Sequence, residues 1–135
     1  MLLLATAGAA PVPVSGRPSV PCSPPPAYVL FDWRSVAFDG EARMALDGVE
    51  YYRTRCTEAL VTVTGHNDAS ESPVMSRMRA IAVRDYIVAH GYPAKYVMVS
   101  WVGSTDMRVP TAAGTRERQN RVVTIDYGPL PRTAD

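Results

Sequence analysis

Between Gly40 and Gly91 the apolar residues change their spacing twice, and that change limits the folds open to this chain. From Gly40 to Cys56, Ala42, Ala45, Leu46, Val49, Tyr52 and Cys56 recur with the three-and-four spacing of a helical stripe. Leu60-Val-Thr-Val-Thr64 then alternates apolar and hydroxyl side chains with the two-residue period of a strand, and Gly65 ends it. Helical spacing returns from Pro73 to His90. Its expected buried stripe is Met75, Met78, Ala82, Val83, Tyr86 and Ile87, and Gly91 is its stop. Ser72 is placed to cap this helix, with Pro73 at the first position, which needs no amide hydrogen. Three more β-rich runs, Tyr28–Asp32, Tyr96–Val102 and Arg121–Tyr127, lie before and after.

The predicted order is β-α-β-α-β-loop-β: an α/β (α+β sandwich) fold, with a mixed sheet of about four strands and helices packed on it. The first three strands, separated by helices, are expected to run parallel through right-handed crossovers. Ligands of such open sheets sit beyond the carboxyl ends of strands. Asp32, Asp68 and the long segment from Gly103 to Gln119 all fall there. A segment of that length in a small domain is usually functional or mobile. Arg79 lies about two turns into its helix, and helical side chains lean toward the amino end, so its guanidinium is aimed back at the loop carrying Asp68. Opposite charges meeting there are able to hold a small zwitterion, carboxylate on arginine and ammonium on aspartate. The plainer alternative is an exposed ion pair worth at most about 1 kcal/mol.

With 135 residues and 47% hydrophobic content the chain builds one core, hence one domain. A net charge of +1 gives no long-range field for nucleic acid, and no stacking-aromatic motif accompanies the arginines. His66 has no serine or cysteine placed with it by a nucleophile motif, and two histidines in all argue against a metal site, so no catalytic residue, metal or cofactor is expected. Cys22 and Cys56 lack metal-ligand spacing and are either free thiols or one disulfide. Residues 1–10 read as a signal remnant, with Ala7-Gly8-Ala9 as a cleavage site; Pro21 before Cys22 speaks against a lipid anchor there. Residues 11–26, crowded with proline, read as a linker. No later apolar run approaches the ~20 residues of a membrane-spanning helix.

Three separated pieces carry a resemblance to the OmpA-like domain, the peptidoglycan-binding module of outer-membrane protein A, peptidoglycan-associated lipoproteins and flagellar stator proteins. Phe31-Asp32 resembles the family's opening Phe-Asp. Gly65-His-Asn-Asp68 resembles its Gly-His-Thr-Asp, and Met75-Ser-Arg-Met-Arg-Ala80 with Val83 resembles its Leu-Ser-x-x-Arg-Ala-x-x-Val. Val109 to Val123 resembles a variant ending in Arg-Glu-Pro-Gln-Asn-Arg-Arg-Val. The loop from Asp68 to Arg79 is several residues shorter than the family's. Asn67 replaces its threonine, Ser72 an asparagine, Trp101 a glycine, Met107 a proline and Val122 an arginine. The resemblance implies a noncatalytic domain over 27–128, with 129–135 a disordered tail. It implies a module in the periplasm or at the outer membrane that holds the diaminopimelate of the wall peptide. Asp68 would take the ligand's ammonium and Arg79 its carboxylate, with Asp32, Ser72, Asn120 and Arg121 bordering the pocket. Its partner would be peptidoglycan, and an envelope protein is a further candidate. The alternative is a degenerate scaffold of the same fold that serves as a protein-interaction or structural domain without binding the wall.

Overall fold

A computed structural model describes residues 23–55 and 59–130. The expected leader at 1–10, most of the linker at 11–26, residues 131–135 of the tail, and both Cys22 and Cys56 lie outside the described residues. The elements are β1 (Ala27–Leu30), α1 (Gly40–Arg55), β2 (Leu60–Gly65), α2 (Val74–Ala89), β3 (Val97–Trp101) and β4 (Val122–Gly128). Single 3-10 turns at Ala94–Tyr96 and Arg118–Asn120 lead into β3 and β4.

Alternation makes the sheet two-sided. Val61 and Val63 of β2 and Val123 and Ile125 of β4 are fully buried on one face, while Thr62, Thr64, Thr124 and Asp126 point to the other. Ala42, Leu46 and Val49 of α1 and Val83 and Ile87 of α2 pack on the apolar face in one core cluster, which Val29 and Phe31 complete. Each such fully buried side chain stabilises the fold by about 1.5–3 kcal/mol. The two helices thus cover one side of the sheet.

The strand order is β1-β4-β2-β3, with β2 and β3 parallel and β4 antiparallel to both β1 and β2. The first three strands therefore share one direction, as the helical connections require. Only β2 and β3 pair, however. The chain leaves a slot between β1 and β2, and its last strand fills it in the opposite sense. The amino end of β4 consequently meets the carboxyl ends of β1 and β2.

One expectation for α2 is corrected. Met78 is 46% exposed, and the inward line is Ser76, Arg79, Ala80, Val83 and Ile87. The helix lies so close to the end of β2 that a Cβ on Gly65 would come within 1.8 Å of the Ser76 carbonyl oxygen, so small residues are required on both sides. Apolarity alone cannot reveal that contact. The Ser72 side chain contributes only a long 3.4 Å bond from Val74 N to its Oγ, while Pro73 already has helical dihedrals. At the other end Gly91, at φ +107°, turns the chain out of the helix.

Candidate functional site

The close approach of α2 to β2 carries Arg79 under the loops at the carboxyl ends of β1 and β2. Its side chain is fully buried and all five of its N–H donors are engaged. Nε donates to the Ser35 carbonyl at 3.1 Å, Nη1 to the His66 carbonyl and Nη2 to the Asp32 carbonyl, both at 3.2 Å. Nη1 and Nη2 also grip the two oxygens of Glu71 at 2.7 and 2.6 Å, a two-point fork. Glu71 is fully buried at its side chain as well. Its carboxylate further accepts from Arg34 N at 2.7 Å and Asp68 N at 3.1 Å. Arg34 has φ +52°, a left-handed conformation costing about 1–2 kcal/mol. Its hydrogen bond to the buried carboxylate, worth about 1.5–3 kcal/mol, offsets that.

Asp68, also without exposure, answers to a different cation. Its Oδ1 accepts from Ser70 N at 2.9 Å and Ser70 Oγ at 2.6 Å, and its Oδ2 from Glu117 N at 3.1 Å and Arg121 Nη1 at 2.8 Å. Burial pushes its pKa up, but the bonds from Ser70, Arg121 and Glu117 outweigh this and hold it below the usual carboxylate value. Arg121 also donates from Nε to the Phe31 carbonyl at 3.0 Å, tying the start of β4 to the end of β1.

The other expected residues divide between stitching and exposure. Asn120 is fully buried and pairs twice with Val109, accepting from its N at 2.9 Å and donating to its carbonyl at 2.7 Å. Together with Glu117 N on Asp68 and Gly114 N on the Ala69 carbonyl at 3.1 Å, that clamp fastens the long loop to the rest of the domain. The Asp32 side chain is exposed and its contribution is a backbone carbonyl. Ser72 is exposed at the loop's rim.

The expectation that Asp68 and Arg79 meet in one open hollow is therefore corrected, and so is the plainer alternative of an exposed pair between them. They belong to two adjacent buried pairs, Asp68 with Arg121 and Arg79 with Glu71, joined where Asp68 N donates to Glu71. Glu71 is the residue that the sequence reading passed over. Its signal was available: an acid three residues after Asp68 and eight before Arg79, in a loop too short to carry it elsewhere.

The sequence model of the OmpA family matches residues 30–121, a span that opens at the end of β1 and closes on Arg121. The chain belongs to the OmpA family. Solved structures of OmpA-like domains share its fold. The OmpA-like domain of FopA1 from Francisella tularensis superposes with a TM-score of 0.66 at 17% identity, covering 81% of this chain and 75% of that one. The peptidoglycan-associated lipoprotein of Burkholderia pseudomallei gives 0.66 at 18% identity, covering 75% and 89%. The cell wall anchor of the T6SS from Pseudomonas aeruginosa gives 0.62 at 23% identity, covering 74% and 75%. No curated protein sequence matches the chain closely enough to count as a relative. Among the described residues there is no group of three or more histidine, cysteine or acidic side chains fit for a metal, and no helix is long and apolar enough to cross a membrane.

Proposed function

We propose that this chain is a noncatalytic domain of the cell envelope that associates with peptidoglycan, taking the diaminopimelate of the stem peptide at Arg79 and Asp68 once Glu71 has swung away. The observation that carries the reading is the Arg79 fork, which already grips a carboxylate at 2.6 and 2.7 Å with a second carboxylate, Asp68, beside it. A diaminopimelate carboxylate replacing that of Glu71 keeps the bonds to Arg79, and its ammonium lies within reach of Asp68. Exchange of one carboxylate for another leaves a small net gain, so single-site affinity is modest and linked copies would supply avidity. The likeness in fold to proteins named as peptidoglycan-associated or as a cell wall anchor supports the same reading. Asp32, Ser72, Asn120 and Arg121 border the site, the first two from its exposed rim.

One observation favours a second reading. Every donor of Arg79 and both oxygens of Asp68 are satisfied internally, which suits a scaffold whose pocket is permanently filled by its own Glu71. The test is chemical rescue. Glu71→Ala vacates the fork, and free meso-diaminopimelate should then raise its melting temperature and compete with its sedimentation on diaminopimelate-type peptidoglycan. A variant that ignores diaminopimelate, with neither parent nor variant sedimenting, leaves the scaffold.

A further inference from the structure

On the sheet face that carries no helix among the described residues, the long loop leaves a depression of about 400 Å3. Thr64 of β2, Thr124 and Asp126 of β4, and His66 line it from the sheet, Asp106 and Arg108 from the loop, and Tyr28, Val102 and Met107 add apolar surface. Thr64 and Thr124 are register partners on this face, and the Thr64 hydroxyl is bonded to Ser100 Oγ of β3 at 2.9 Å. Arg108 is steadied by Tyr28, its guanidinium carbon 4.3 Å from the ring centroid. None of these side chains takes part in the ion pairs of Arg79 and Asp68, which His66 touches only through its carbonyl.

His66 is only 6% exposed, and its Nε2 is buried with no hydrogen-bond partner. Among the described residues Asn67 Oδ1 is the one other buried side-chain atom in that condition. A native fold rarely keeps such an atom unless something else supplies the partner. Burial holds the His66 pKa below its ordinary value, reinforced by Arg108 and opposed by Asp106, so the ring is neutral at pH 7. In a neutral imidazole one nitrogen donates and the other accepts, so Nε2 has a bond to offer in either tautomer.

The lining excludes most ligand classes. Two carboxylates against one guanidinium repel phosphates and other anions, and stripping water from these groups penalises a wholly apolar occupant. A ligand that both donates and accepts through the same groups, as hydroxyls and amides do, matches the polar side chains, and ring carbons match Tyr28, Val102 and Met107. We propose that this depression binds a saccharide ring bearing hydroxyl and acetamido groups. Asp106 and Asp126 accept from its hydroxyls, Arg108 donates to its oxygens, and His66 completes the set. The volume stands near the low end of the roughly 300–1,000 Å3 of small-molecule sites, enough for one or two rings. The proposal does not rest on diaminopimelate recognition and holds with the ionic network closed.

The test is titration of the full chain with chitobiose, the disaccharide of N-acetylglucosamine, followed by proton–nitrogen correlation spectra. Saturable shifts are expected at Thr64, His66, Thr124 and Arg108, with dissociation in the millimolar range. Asp126→Asn, an exposed change that spares the core, is expected to weaken binding about tenfold, the loss of one charge-assisted hydrogen bond. Thr124→Val is expected to weaken it too, while Ser72→Ala does not. Glycerol phosphate, an anion with hydroxyls, is expected to leave these resonances in place. Absence of shifts with chitobiose, shifts scattered away from the depression, or unaltered binding by both Asp126→Asn and Thr124→Val would overturn the proposal.

Discussion

The two polar regions of this domain lie at neighbouring places and are built oppositely. Beyond the strand ends, Arg79, Glu71, Asp68 and Arg121 form a network in which each charged group faces its counter-charge. On the other sheet face, His66 Nε2 lacks a partner while Asp106, Arg108 and Asp126 line a depression. A buried set of charges holds a fold together only when it is complete, because each unmatched charge is heavily penalised. A surface depression tolerates incompleteness, since water satisfies what the protein does not. The domain therefore uses charge for architecture in one region and leaves it available for binding in the other.

The contrast is sharpest under mutation. Removing one member of the buried pair, as in Arg79→Met or Glu71→Ala, is expected to destabilise the domain by about 3–5 kcal/mol in urea unfolding. The double change Glu71→Leu with Arg79→Met should recover much of that loss, since apolar replacement of a whole buried pair is often neutral. A double variant no better than the singles would mean that the carbonyls of Asp32, Ser35 and His66 need the guanidinium for themselves. Gly65→Ala tests how the network is assembled: its Cβ collides with the Ser76 carbonyl and forces α2 off the sheet. A loss of about 1–3 kcal/mol is expected, the usual size of an overpacking penalty.

Acid should act on both regions, in different windows. Asp68 has a lowered pKa when folded, so its stabilisation is complete well above the unfolded value of about 3.9 and vanishes as pH falls through the folded value. His66 is also lowered, so the unfolded chain takes up a proton first, and stability declines as pH drops below about 6.5. Melting temperature against pH should therefore show two steps, the upper one abolished by His66→Asn and the lower one by Asp68→Asn. The smallest effect belongs to Asp126→Asn, expected to change stability by no more than about 0.5 kcal/mol. A larger loss in the same urea assay would mean that Asp126 is structural.

Much of this was legible beforehand. Element order and kind followed from the period changes around Gly65, and the same pattern put Asp68 in the loop after β2 and Arg79 on α2. What the sequence hid was partner choice. Arg79 and Asp68 have opposite charges and favourable spacing, but two nearer partners, Glu71 and Arg121, take them separately. One-dimensional reasoning has no way to rank competing ion pairs, because the ranking depends on which loops are stacked over which strand. Likewise Met78 fits an apolar stripe on paper, while the backbone contact at Gly65 turns the helix so that Ser76 and Arg79 face inward. The insertion of β4 between β1 and β2 also needs information that local pattern does not carry.

That insertion governs when the domain is able to form. Within the sheet β1 pairs with β4 alone, from Ala27 opposite Ile125 to Leu30 opposite Val122. A growing chain can close β2, α2 and β3 as soon as they emerge, but its first strand waits unzipped until the last is made. Closing so long a loop is slow. Folding of this domain is thus a late event in synthesis, and a chain interrupted before Val122 carries an orphaned strand and a bare sheet edge.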